Sequence, residues 1–291
     1  MSALAASNQR IRRLRRLSGR RSARADEGAF LLEGPTLLGE ALDASVALEG
    51  IYIDESTTEF GPLVERAERA AIPVHRVSTG VLADVTDAVT PRPILAVAPI
   101  RATALDAAIA QAAQRGRPLI VLVDVRDPGN LGTIIRAADA SGAAGVICCQ
   151  GTVDPWAPKV VRSSAGAVLH VPLVVDVPSD IVLEQLGHAG LPRIGTVVEH
   201  GESYDQAPLS GAVAIVLGNE AQGLPADTVA TLDHAVTIPM EGRAESLNVA
   251  MAMSILSFEA LRQRRARAAG VDSATTKDWT PTPAQDKVIR P

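Results

Sequence analysis

Short apolar runs separated by helical stretches mark two successive regions of the chain. Between 30 and 98 the runs FLLEG, GIYID, IPVHRV and ILAVA alternate with amphipathic stretches near 36–42 and 62–71, which predicts a small α/β unit. From 119 onward the runs are more continuous: 119–125, GVICC, VPLVV, RIGTVV, VAIVL and AVTI, with helical segments between most of them. Continuous apolar runs suit parallel strands covered on both faces. Residues 99–118, with an alanine-rich helix at 105–115, read as the connection between the two regions, and 270–291 as a polar, aperiodic, disordered tail.

Three places break this rhythm. The segment 238–259, IPMEGRAESLNVAMAMSILSFE, runs from a glycine-containing polar loop into a helix that is apolar on two sides. Met251, Ile255, Phe258 and Leu261 form one face, and Val249, Met253, Leu256 and Ala260 the other, so the helix must be buried twice. The segment 130–145, NLGTIIRAADASGAAG, follows the first strand, with Leu131, Ile134, Ile135 and Ala138 as its buried stripe and Arg136 between stripe positions. The third, LGNEAQGL at 217–224, places Gly218 and Gly223 behind a buried strand. Glycines there can leave backbone open to a ligand, although ordinary turns use them as well.

A chain of 291 residues, 47% hydrophobic and only 2% aromatic, has enough Ala, Val, Leu and Ile for two modest cores. Net charge is −5, yet residues 1–25 contain eight arginines and no acid. Arg10, Arg12, Arg13, Arg15, Arg16, Arg20 and Arg21 are therefore candidates for neutralising RNA phosphates, with a solvated helix face as the structural alternative. A later cluster, Arg262, Arg264, Arg265 and Arg267, can simply complement a helix C-terminus. Cys148 and Cys149 are adjacent, with α-carbons only ~3.8 Å apart, so they read as reduced core residues rather than a disulfide. No signal peptide or apolar run of about 20 residues is visible, which leads to the expectation of a soluble cytoplasmic protein with no membrane contact. The five histidines show no metal spacing and no Cys-x-x-Cys occurs, so no metal is expected.

Local chemistry alone leaves bland readings for every candidate but Asn248. Asn130 and Ser246 can be helix caps, Arg136 a solvated cation and Glu220 a turn residue. The turn after the first strand, Gly129-Asn130-Leu131-Gly132, lacks the G-x-G-x-x-G of a dinucleotide site, which disfavours a nicotinamide-dependent dehydrogenase.

Taken in order and spacing, however, the three blocks resemble the three motifs of the SpoU, or TrmH, family of RNA ribose methyltransferases within the SPOUT superfamily, over 119–265. Residues 26–99, especially FLLEGPTLLGEAL and TPRPILAVA, resemble more loosely the ribosomal-protein-like substrate-binding domain of that family. The resemblance implies a basic arm (1–25), an RNA-binding domain (26–99), a linker (100–117), a catalytic α/β domain (118–269) with a parallel sheet and a deep trefoil knot, and a tail (270–291). It assigns catalysis to Asn130, Arg136, Glu220, Ser246 and Asn248. It assigns S-adenosylmethionine contacts to Thr196, Leu217, Gly218, Ile238, Pro239, Met240 and Leu247. It also implies a homodimer built on the two-sided helix, and methylation of a ribose 2′-hydroxyl, preferably in 23S ribosomal RNA. A tRNA methyltransferase, or a non-catalytic ribosome-assembly factor of the same fold, is the alternative.

Overall fold

A computed structural model of the chain describes residues 3–86 and 90–270; the expected tail, apart from Gly270, lies outside the described residues. The N-terminal part contains α1 (Gln9–Gly19), α2 (Arg21–Glu27), β1 (Ala29–Glu33), α3 (Pro35–Asp43), β2 (Gly50–Asp54), α4 (Gly61–Arg69), β3 (Val74–Val77) and β4 (Ile94–Pro99). Its mixed sheet has the order β1-β4-β2-β3, with β4 antiparallel to both neighbours and β2 parallel to β3.

The arginine-rich stretch is not a separate arm, which corrects the 1–25 boundary. Ile11, Leu14 and Leu17 recur at helical spacing and are fully buried, packed with Leu31, Tyr52, Leu95 and Val97 on one face of this sheet. The apolar half of α1 therefore fixes which arginines can face outward.

The remaining elements are α5 (Leu105–Arg115), β5 (Leu119–Leu122), α6 (Pro128–Ser141), β6 (Gly145–Cys149), α7 (Pro158–Ser163), β7 (Leu173–Val177), α8 (Ser179–His188), β8 (Arg193–Thr196), β9 (Glu202–Ser203), β10 (Ala214–Leu217), α9 (Ala226–Ala230), β11 (His234–Thr237) and α10 (Val249–Ala268). They build a sheet of order β7-β6-β5-β10-β8-β11-β9, parallel at every paired neighbour. Successive strand residues serve opposite faces. Leu119 and Val121 pack toward α5 and α8, whereas Ile120 and Leu122 pack toward α6 and α10. The 105–115 helix is thus a covering layer of the second sheet, with Leu105, Ala108, Ile109 and Ala112 buried, and not a free linker.

The two regions share one core. Phe30 and Leu32 of β1 lie in the same apolar cluster as Val160 and Val161 of α7. Two ion pairs cross the seam: Arg162 to Glu33 at 3.0 Å, and Arg24 to Asp154 at 2.6 Å, with Arg24 only 5% and Asp154 6% exposed. Arg24 also donates to the carbonyls of Leu17 and Ser18 at the end of α1, so its buried charge is fully hydrogen-bonded.

Strand β8 lies between β10 and β11 although both follow it in sequence. The chain leaving β8 turns tightly across β11, where a Cβ on Gly201 would stand 2.7 Å from the carbonyl carbon of Val236. After β11, residues 238–248 carry no regular structure, and α10 then returns to pack on α6 and β10. Among the described residues no helix is long and apolar enough to cross a membrane, and no cluster of three or more His, Cys, Asp or Glu side chains is placed to hold a metal.

Candidate active site at the strand ends

Residues from all three distinctive segments converge at the C-terminal edge of the parallel sheet. Helix α6 begins there because Asp127 caps it, its carboxylate accepting from the Asn130 amide at 2.8 Å, with Pro128 at the first position. This frees the Asn130 side chain, which donates from Nδ2 to Oε1 of Glu220 at 3.0 Å and accepts at Oδ1 from Nδ2 of Asn248 at 2.9 Å. Glu220 also accepts from the backbone amides of Asp127 (3.0 Å) and Arg126 (3.2 Å).

The direction of this chain is fixed at both ends. A carboxylate only accepts, so the Asn130 nitrogen must face Glu220, and its oxygen must face Asn248. Asn248 must in turn offer its nitrogen to Asn130, leaving its oxygen for the Ala250 amide at 2.9 Å. That last bond caps α10. Asn248, not Ser246, is the cap; Ser246 is exposed in the loop before it. Burial would raise the pKa of Glu220, but the Asn130 side chain and the backbone donors outweigh it and hold the carboxyl below its usual value. Glu220 therefore remains an anion that anchors the amides.

The loop carrying Glu220 is tied down by a residue that the sequence reading passed over. Asn219 donates to the Asp124 carbonyl at 2.8 Å and accepts from the amides of Ala221 and Gln222. Its backbone pairs with Gly223 in both directions. Asp124 itself holds a left-handed backbone, φ 58°, at the end of β5. An Asn directly before the motif's acid was the available signal for this brace, as Asp127 before a proline was for the cap.

Gly218 is explained by the chain itself. A Cβ there would lie 2.2 Å from the Gly223 carbonyl carbon and 2.4 Å from the Leu224 nitrogen, so the turn needs glycine whether or not a ligand binds. Leu217 is fully buried with its side chain in the core beneath α10, which limits it to backbone contacts. Thr196, Ile238 and Leu247 are partly covered, Pro239 is exposed and Met240 is 38% exposed. All but Leu247, which precedes the cap of α10, lie at or just beyond the ends of β8, β10 and β11, three adjacent strands.

Arg136 stands apart from the hydrogen-bonded chain. It follows Asn130 by six positions on α6, about 240° around the helix, and is exposed on the side away from the buried stripe. It therefore does not touch the Asn130 amide of its own chain. The basic cluster is also divided by the fold. Arg13 pairs with Glu27 and Glu49, Arg16 with Glu27, Arg21 with Asp176, Arg15 donates to the Ala6 carbonyl and Arg10 contacts His75, whereas Arg12 and Arg20 are exposed.

Polar groups and half-covered apolar loops at the carboxyl ends of parallel strands define an α/β protein of the class that binds its ligand at that edge, here joined to a second domain that carries an arginine-rich helix. Comparison with known proteins narrows the class. Residues 117–258 match the SpoU rRNA Methylase family and residues 8–96 the MRM3-like substrate binding domain. A Bacillus subtilis protein, 23S rRNA (guanosine(2553)-2'-O)-methyltransferase RlmP, is 32% identical over 87% of this chain and 96% of its own length. An AdoMet-bound rRNA methyltransferase from Sinorhizobium meliloti superposes with a TM-score of 0.79 at 29% identity, over 89% of this chain and 97% of that one. AviRb from Streptomyces viridochromogenes, a SpoU methyltransferase, gives 0.77 at 27% identity over 91% and 99%. The chain belongs to the SpoU rRNA methylase family.

Proposed function

We propose that this protein transfers a methyl group from S-adenosylmethionine to a ribose 2′-hydroxyl of large-subunit ribosomal RNA. The observation that carries the proposal is the directed chain Asn248→Asn130→Glu220, which joins three separate segments at the sheet edge, all within the residues that the family match covers. The residues present fit the cofactor. Ile238, Met240 and Leu247 leave apolar surface uncovered beside Thr196 and the open backbone of 238–248, a setting suited to an adenosine and a methionine stem. S-adenosylmethionine, when bound, supplies an electrophilic methyl on a sulfonium.

The side chains have separable tasks in this reading. Glu220 and Asn130 set the geometry of the loop ends, and Asn248 fixes the start of α10, so a ribose can be held in line with little reorganisation. Ser246, exposed on the same loop, is available to the substrate. Glu220 is a poor base because its lone pairs are engaged and its pKa is depressed. Arg136 is a permanent cation that binds the reacting phosphate and ribose.

Arg136 completes a site in the other subunit of a homodimer. Support comes from its distance in chain position and direction from Asn130, and from the second apolar face of α10, where Met251 is 61% and Phe258 47% exposed. The crossing of the chain after β8 over β11 agrees with the trefoil knot expected for the catalytic domain.

The test is complementation. Arg136→Ala and Asn248→Asp proteins, each strongly impaired alone, are unfolded and refolded together, and methyl incorporation into ribosomal RNA is measured. Recovered activity is expected, since one site per heterodimer keeps an intact arginine and an intact amide chain. Activity no higher than the separate backgrounds, with heterodimers confirmed by native mass spectrometry, would exclude a shared site.

A further inference from the structure

The seam between the two domains leaves the chain little slack. The Ile100 amide donates to the Gly28 carbonyl at 2.7 Å and the Thr103 amide to the Leu173 carbonyl at 2.7 Å, so the crossing residues lie against β7, the edge strand of the parallel sheet. Two exposed contacts, Arg21 to Asp176 at 3.4 Å and His170 to Glu40 at 3.5 Å, flank the shared core and add little. Domains that meet through a small polar contact move relative to one another, whereas a continuous apolar core with buried ion pairs fixes one arrangement.

One contact leads from this seam to the strand-end site. Glu33, at the end of β1, has its side chain only 5% exposed. Within its own domain it accepts from Thr86 Oγ1 and from the Arg92 amide, both at 3.2 Å, and across the seam from Arg162 of α7 at 3.0 Å. Helix α7 lies directly on the first turns of α6. A Cβ on Gly132 would stand 2.7 Å from the Val160 carbonyl oxygen, and the Ser163 hydroxyl reaches the Pro128 carbonyl at 3.2 Å, two residues before Asn130. The place of Asn130 is thus set on one side by Glu220 and Asn248, and on the other by the helix that Glu33 holds. A buried ion pair adds little stability over apolar packing of the same volume but demands one geometry, which suits it to fixing an orientation.

We propose that the seam works as a ruler: Glu33 and Arg162 hold the N-terminal domain and the strand-end site at one separation and angle, and so determine which ribose of the bound RNA reaches the methyl donor. Both are positioning residues, acting through α7 and the first turn of α6 and touching neither cofactor nor ribose. The proposal rests on the methyl-transfer reading.

The experiment has two arms. In the first, spin labels on Glu68→Cys of α4 and Glu184→Cys of α8, both exposed, report the distance between the domains by pulsed electron resonance; Cys148 and Cys149 are buried, and excess unlabelled chain removes distances between chains. In the second, 2′-O-methyl groups are mapped along ribosomal RNA. Wild type should give one narrow distance and one methylated position. Arg162→Glu sets two carboxylates face to face, so the distances should broaden, methylation at the wild-type position fall by up to about 100-fold, and methyl groups appear on neighbouring nucleotides. Cofactor affinity by calorimetry should be unchanged. Adding Glu33→Gln to Arg162→Glu supplies an amide that can donate to the new carboxylate, and should return much of the narrow distance and the single position. Glu33→Gln alone, nearly isosteric, should act in the same direction more weakly and provides the test if Arg162→Glu does not fold. Wild-type distances in the folded variants, or methylation lowered but confined to the wild-type position, would overturn the proposal. A wild-type enzyme that transfers no methyl group would sink the methyl-transfer reading, and the distances, which need no catalysis, would still decide whether Glu33 and Arg162 fix the seam.

Discussion

Replacing Asn248 separates the two tasks that its side chain performs. Its oxygen accepts from the Ala250 amide and caps α10, while its nitrogen donates to Asn130. Asn248→Ala removes both, and the lost cap costs about 1 kcal/mol, which lowers Tm by roughly 2–4 °C for a chain of this size. Asn248→Asp keeps an acceptor for the cap, so Tm should stay within ~1–2 °C of wild type. Its carboxylate cannot donate, however, and would face the Asn130 oxygen across the present 2.9 Å. Asn130 cannot relieve this by turning over, because its oxygen would then meet the Glu220 carboxylate. The amide chain is broken in either orientation, and the misplaced groups should reduce methyl transfer by about 10²-fold. Calorimetry gives the first quantity and incorporation of labelled methyl into ribosomal RNA the second. An Asn248→Asp enzyme with wild-type turnover would show that the directed chain is only structural.

Gly218→Ala should lower stability by roughly 1–3 kcal/mol, because the new Cβ collides with the Gly223 backbone; an unchanged Tm with lost cofactor affinity would place Gly218 against the ligand instead. Arg24→Met strips a buried carboxylate and two carbonyls at the domain seam, so chemical denaturation should register a loss of roughly 3–5 kcal/mol, and a change below ~1 kcal/mol would mean that the seam is solvated. Asp233, held to about pH 2 chiefly by its hydrogen bonds from Arg193, has a folded pKa below its unfolded one. Its stabilisation is therefore present above the ordinary carboxylate value and fades as pH falls from about 4 to about 2. Melting curves of wild type and Asp233→Asn should accordingly converge over that interval, and parallel curves down to pH 2 would refute the assignment.

The sequence by itself determined the elements and much of their burial. Leu131, Ile134, Ile135 and Ala138 are all fully buried as their spacing required, and the strands lie where the continuous apolar runs placed them, because a period of 3.6 or an unbroken run is a local property of the chain. The converging segments were legible only through their likeness to a family, since nothing local in Asn130, Glu220 or Asn248 says that they meet. Their meeting depends on β5 and β10 lying side by side although far apart in sequence, and on α10 returning over α6, long-range outcomes of sheet pairing and packing. The same limit explains the misread arm. An arginine-dense segment suggests a solvated tail by charge, but whether Ile11, Leu14 and Leu17 find a surface to bury against was decided by a sheet face that other parts of the chain provide. Capping followed the same rule: Asn130 and Ser246 were the cap candidates by residue type, and only the place where each helix meets the sheet edge assigned the caps to Asp127 and Asn248.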